Sequence, residues 1–316
     1  MKKYSLIAIT ILILFSMSWA QKPNVIIDAD TGNEMDDLYA IVRAVLEENI
    51  NVLAVTSAHF NNPQLLTDSL WHIYPTKDIN TLQISQDLNE ELLASMNIND
   101  IPAIAGCEQM VGYAWGYYEG APIPKSPATE FIIKKAKKHT PTNKLNIIVL
   151  GPVTNVASAI LQAPEIAKNI SVYCLTMKYN DEVWNKNSFN ARNDINGLDL
   201  ILNNNDLETW IIPGNVSGTL RFDHQKTVNR LQKIDSDTAE ILRRRWAEVS
   251  AGDEWIMWDL AIVTAFIHPE YATVVDRPKP PENGDGTVKV YIDIDKNKMI
   301  ADFWDAYLEF EDDRDM

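Results

Sequence analysis

Val25-Ile26-Ile27-Asp28-Ala29-Asp30-Thr31-Gly32-Asn33-Glu34-Met35-Asp36-Asp37 decides how the rest of the chain is read. Three branched apolar residues in succession signal a strand buried on both faces. The run from Asp28 to Asp37 then places five acidic side chains within ten residues. Beyond it Leu38, Ile41, Val42, Val45 and Leu46 recur at helical spacing and form one apolar face. Strand, acidic loop and amphipathic helix in that order open an α/β unit. Ligands of an open parallel sheet bind beyond the carboxyl ends of its strands, so Asp28 and Asp30 stand where function is expected.

Outward from this stretch, short apolar runs alternate with helical ones. Strands are expected at Asn51–Ala58, Pro102–Ala105, Leu145–Leu150, Ile170–Leu175, Thr209–Pro213 and Val288–Ile292. Helices are expected at Ala128–Lys138, Val153–Gln162, Ser236–Val249 and Asp259–Ile267. The rhythm predicts a single α/β domain with a mostly parallel central sheet and helices on both faces. Arg277–Gly286, with three prolines and two glycines, reads as a loop.

The first twenty residues read as a signal peptide. Lys2 and Lys3 precede an apolar run from Leu6 to Phe15, and Ser18-Trp19-Ala20 offers small residues where a signal peptidase cuts. The mature chain, expected to span residues 21–316 without a membrane anchor, would be periplasmic or secreted. Loss of Lys2 and Lys3 deepens the formal charge from −16 to −18. Such a surface repels nucleic acid and favours cations and neutral small molecules. Cys107 and Cys174 lie in or beside apolar strand-like runs and read as two buried thiols, although one bridge between them is open.

Carboxylates gathered at one strand end repel one another, and they need a cation, protons or full exposure. Calcium, which accepts many oxygen ligands in irregular geometry, matches the inventory. Asp36 and Asp37 also sit at a helix N-terminus, where the dipole favours negative charge. A solvated acidic turn capping the next helix would have the same composition. The flanking buried strand and clean amphipathic helix favour the metal site.

The segment resembles the first motif of the inosine–uridine-preferring nucleoside hydrolases, an Asp-x-Asp-Pro-Gly-x-Asp-Asp run after the first strand. The matching residues are Asp28, Asp30, Gly32, Asp36 and Asp37, with Thr31 in place of proline and two extra residues before the final pair. Ala128-Thr129-Glu130-Phe131-Ile132-Ile133 with Ile148–Ala157, Phe189-Asn190 with Asn193-Asp194, and Trp258-Asp259-Leu260-Ala261 with His268-Pro269-Glu270 resemble later family segments in the same order. The resemblance implies calcium held by Asp30, Asp37, the carbonyl of Leu150 and Asp259. It implies Asp30 as general base toward water, Asp36 and Asn190 as partners of ribose hydroxyls, and Asp28 as support behind the ligands. It also implies a dimer or tetramer. In sequence alone, Asp259 could equally cap a helix and Asn190 could be an ordinary loop residue.

Two positions depart from the family pattern. Ser188 stands where the family has glutamate, and Trp258 stands where it often has the histidine proposed as the acid for the leaving base. Tryptophan can stack on a base but donates no such proton, so the ribose grip is expected to be weakened or rebuilt, with Glu182 or Asn185 available nearby. His59, after the second strand, can reach a site there or serve as a structural hydrogen-bonder. Tyr113, Trp115, Tyr117 and Tyr118, like Trp255, fit a base-binding wall, a core or an interface.

Two rival functions share these residues. Asp28-Ala29-Asp30-Thr31 also resembles the motif of haloacid-dehalogenase-type phosphatases with Asp28 as nucleophile, which leaves Asp36-Asp37, Leu150–Asn155 and Trp258-Asp259 unexplained. A non-catalytic calcium-dependent sugar or nucleoside binder would keep the fold and lose turnover through Ser188 and Trp258.

Overall fold

The computed structural model describes residues 22–61, 79–249 and 252–314, so the expected leader over residues 1–20 lies outside the described residues. The strands are β1 (Asn24–Ala29), β2 (Asn51–Ser57), β3 (Ala103–Ile104), β4 (Leu145–Val149), β5 (Ile170–Leu175), β6 (Lys178–Asn180), β7 (Val183–Asn185), β8 (Glu208–Ile212), β9 (Arg221–Asp223), β10 (Glu254–Ile256), β11 (Ala272–Pro278) and β12 (Thr287–Ile294). The helices are α1 (Asp36–Val45), α2 (Thr81–Ser95), α3 (Pro127–Ala136), α4 (Thr154–Gln162), α5 (Phe189–Asn193), α6 (Ile195–Asn203), α7 (Gly214–Ser217), α8 (His224–Leu231), α9 (Asp237–Glu248), α10 (Trp258–Ile267) and α11 (Lys296–Arg314).

Eight strands form one sheet in the order β11-β12-β8-β5-β4-β1-β2-β3. All neighbours are parallel except the antiparallel edge pair β11–β12. Both faces are covered, as the unbroken apolar run in β1 requires: Ile26 joins one core, while Val25, Ile27 and Ala29 join the other. Helices α1, α9, α10 and α11 supply the second of these cores, and α3, α4 and α6 the first. Each fully buried isoleucine or valine stabilises the fold by roughly 1.5–3 kcal/mol.

The chain order places the site. From β1 the chain builds outward through β2 and β3, then returns to lay β4 along the other flank of β1. That reversal opens a crevice beyond the carboxyl ends of β1 and β4, the position where doubly wound sheets bind ligands. The loop from Asp30 to Met35 and the residues after β4 rise into it. The Leu150 N–H donates to the Asp28 carbonyl at 2.8 Å, continuing the β1–β4 ladder to the rim.

Part of Arg277–Gly286 is strand rather than loop. β11 runs through Pro278, which an edge strand accommodates at its end, and the hairpin connection holds a 3₁₀ turn at Pro281–Asn283. Helices α2, α5, α6, α7, α8 and α11 and strands β6, β7, β9, β10 and β11 were not among the expected elements. Cys107 and Cys174 are both buried and unbridged.

Candidate active site

Asp30, Asp36, Asp37, Leu150, Ser188, Asn190, Trp258 and Asp259 line one cavity of about 590 Å³. They come from the β1–α1 loop, the first turn of α1, the end of β4, the start of α5 and the first turn of α10. Helix α10 is apolar all round and buried from Asp259 to Ala265, as a helix enclosed by core must be. Its N-cap is Met257, which offers no side-chain acceptor, and Asp259 lies inside the first turn. The cap comes from elsewhere: Asp36 Oδ2 accepts the Asp259 N–H at 3.1 Å. Asp259 thus turns its carboxylate toward Asp36 and Asp37 and keeps Oδ1 without a partner.

Oxygens of Asp36, Asp37 and Asp259 lie within 4.8 Å of one another, and all three residues are buried. Asp28, Asp30, Asp36, Asp37 and Asp259 each keep one buried carboxylate oxygen without a hydrogen-bond partner. Burial raises every one of these carboxyls: Asp28 and Asp36 reach about 6, and Asp37 about 8 with the neighbouring charge of Asp36 adding to burial. Asp30 and Asp259 are raised well above the usual carboxylate range, first by burial and then by the other aspartates. Orphaned oxygens on mutually repelling buried carboxylates fit a hard dication, which would satisfy the oxygens and cancel the repulsion.

Two polar layers hold this loop in place. Thr31 Oγ1 donates to Asn89 Oδ1 at 2.6 Å, and the Gly32 N–H donates to Ser85 Oγ at 3.2 Å, both partners on α2. Arg245 of α9 donates to the carbonyls of Glu34 at 2.8 Å and Gly32 at 3.4 Å, and its charge lowers Asp37. Gly151 passes so close to Asp30 that a Cβ there would lie 2.7 Å from its carboxyl carbon.

Asp28 stands behind the cavity. Its Oδ1 accepts from Thr56 Oγ1 at 2.6 Å and from Asn155 Nδ2 at 2.8 Å. Asn190 Nδ2 donates to the carbonyls of Leu150 and Leu175, which ties the end of β4 to the end of β5 beside the cavity. Ser188 Oγ accepts the Met177 N–H at 2.9 Å. His59 is not among the cavity residues. It is buried, shares a 3.0 Å contact with Thr154 Oγ1, and Thr154 in turn donates to Asp194 Oδ2 at 2.6 Å. Glu182 and Asn185, on the exposed β6–β7 hairpin, and Trp255 do not line the cavity either. Tyr113 stacks with Trp115 and with Tyr118, and none of the three lines the cavity.

Sequence reasoning gave no role to Glu34, Lys178, Asn215 and Arg221, which also line the cavity. Glu34 lay in plain view within the acidic run. The others carry no local signal, because only the folding of β6, α7 and β9 around the cavity brings them there.

The chain belongs to the inosine–uridine-preferring nucleoside hydrolase family, whose model matches residues 25–312. A curated relative, a probable uridine nucleosidase 2 from Arabidopsis thaliana, is 25% identical over 155 residues; the match spans 49% of this chain and about half of that one, 47%. The solved structure of an inosine–guanosine nucleoside hydrolase superposes with a TM-score of 0.66 at 17% identity, covering 90% of this chain and 98% of the other. A purine-preferring ribonucleoside hydrolase from Gardnerella vaginalis gives 0.63 at 17% identity, covering 91% and 99%. A plant nucleoside hydrolase gives 0.64 at 18% identity, covering 90% and 98%. These structures share the fold, and the family match leaves the phosphatase alternative without support.

Proposed function

We propose that the protein hydrolyses the N-glycosidic bond of a ribonucleoside or related N-riboside, with calcium held at the carboxylate cluster. One observation carries this: Asp259 converges with Asp36 and Asp37 across 223 residues of sequence, each with an orphaned oxygen, in a cavity large enough for a nucleoside. Asp37, Asp259, Asp30 and the Leu150 carbonyl would hold the ion; of these carboxylates Asp37 and Asp259 group with Asp36 within 4.8 Å, while Asp30 lines the same cavity outside that group. Bound there, calcium supplies Lewis acidity toward sugar hydroxyls and water.

The chain's own groups do the rest. Asp30, pinned against Gly151, takes the proton of the attacking water as general base. Positive charge grows on the ribose ring as the bond breaks, and the anionic floor stabilises it. Asp36 and Asn190 hydrogen-bond ribose hydroxyls, with Asp28 fixed behind them. Trp258 offers a face on which the base stacks.

Purified protein should carry about one calcium per chain and release free ribose from an N-riboside. Asp30→Asn should retain the fold and abolish release. Metal-free protein from gentle purification, or ligand binding without release across a panel of ribosides, would refute the assignment; the second outcome would mark a non-catalytic binder.

Export of the mature chain to the periplasm or medium, where it would serve nucleoside scavenging, belongs to the same proposal. Among the described residues no helix is long and apolar enough to cross a membrane. A mature N-terminus at Gln21 would support export.

A further inference from the structure

We propose that Lys178 is the group that neutralises the departing base, an inference that rests on the glycosidase function proposed above. The cavity has two ends of opposite character. Its floor is buried carboxylate, whereas Lys178 and Asn180 of β6 line it as exposed residues and so mark the mouth. Breaking an N-glycosidic bond sends its electron pair to the base nitrogen, and that charge must be met by a proton donor. None of the described histidines lines the cavity, and the indole of Trp258 is no acid.

Two cations line it. Arg221 is engaged by Glu254 at 3.2 Å. Lys178 has no ion-pair partner among the described residues, although the chain carries 44 acidic residues that could have supplied one. Its backbone is held on both sides. Before it, Met177 accepts from the Gly214 N–H at 2.8 Å and donates to Ser188 Oγ at 2.9 Å. After it, Tyr179 exchanges two hydrogen bonds with the Asn215 side chain, at 2.9 and 3.0 Å. A flexible ammonium on a fixed stem therefore lines the exposed part of the cavity whose buried part holds the carboxylates.

The C1′–N bond breaks with its electron pair going to the base, and a C1′–O bond forms from water. One water proton passes to Asp30 and one ammonium proton passes from Lys178 to the base; solvent returns the proton from Asp30 to Lys178.

The test compares two substrate types on wild type, Lys178→Met and Lys178→Arg. Inosine and uridine need their leaving group protonated, whereas p-nitrophenyl β-ribofuranoside releases a phenolate that does not. The rate ratio of nucleoside to aryl riboside should fall about 100-fold in Lys178→Met, in the range of lost general-acid catalysis, and recover in part in Lys178→Arg. An unchanged ratio, whether both rates fall together or neither falls, overturns the assignment to Lys178 alone. Wild-type protein inert on both substrate types overturns the glycosidase function and this role with it. Position 178 is exposed, so the substitution spares the core, and unchanged calcium content in the variant separates a leaving-group role from damage to the floor.

Discussion

Asp36 Oδ2 accepts the backbone N–H of Asp259 at 3.1 Å across a sequence separation of 223 residues. The contact joins the first turn of α1 to the first turn of α10 and makes one carboxylate the cap of the helix that carries another. Charge repulsion within the cluster is thereby built into the packing of two core helices.

Removing metal should expose that repulsion. Calcium at about a hundredfold excess over its Kd should stabilise the protein by about 2.7 kcal/mol, equivalent to a rise of about 5 °C in Tm for a chain of this size. Asp259→Asn should raise the Tm of chelator-treated protein, because one repelling buried charge is gone, and should lose the response to calcium. Differential scanning calorimetry with and without chelator checks both, and a variant less stable than wild type in chelator would count against the account.

Gly151→Ala tests the contact behind Asp30. The new methyl would sit 2.7 Å from the Asp30 carboxyl and must push it aside. Calcium affinity should fall about 10- to 100-fold while far-ultraviolet circular dichroism stays unchanged. Calcium titration by calorimetry reads the first, and an unchanged affinity would show that Asp30 is not held there.

Asn155 links three segments: its Nδ2 donates to Asp28 at 2.8 Å and to the Ser57 carbonyl at 3.1 Å, and its Oδ1 accepts the Cys107 N–H at 2.8 Å. Asn155→Ala should cost about 2–4 kcal/mol in urea unfolding, since buried polar partners are left unmatched. Asn155→Asp should cost more, because it sets a second carboxylate against Asp28.

His59 predicts a pH dependence. Burial lowers its pKa from 6.5 to about 4, so the folded protein holds it neutral. Its contribution is fully present above pH 6.5 and is lost as pH falls toward 4, up to about 3 kcal/mol. Asp194, raised to about 6 by burial, titrates nearby with the opposite sign, so wild type must be compared with His59→Asn. The variant should show a flatter decline of Tm between pH 6.5 and 4.

The buried strand β1, the acidic loop and α1 were legible because their periodicity is local. So were the sheet and the segments that line the cavity, whose family resemblance spans the chain in order. Helix α2 was hidden because its buried face is largely polar: Ser85, Gln86 and Asn89 pack inward to hold the loop and β2. Helix α11 buries Met299, Phe303, Trp304 and Tyr307 within a strongly charged stretch that dilutes the pattern. Strand β11 alternates between half-buried and exposed residues at a sheet edge and ends in proline. His59 follows a strand as a ligand would, but its partner is Thr154 rather than the cavity. Lys178 was invisible because no spacing rule links it to Asp30.

The two halves of the carboxylate cluster are translated far apart in time. A nascent chain that has made Asp36 and Asp37 still lacks Asp259, and α10 must leave the ribosome and seat against α1 before the three carboxylates meet. Truncated products therefore lack the assembled cluster, whose closure waits on the synthesis of α10.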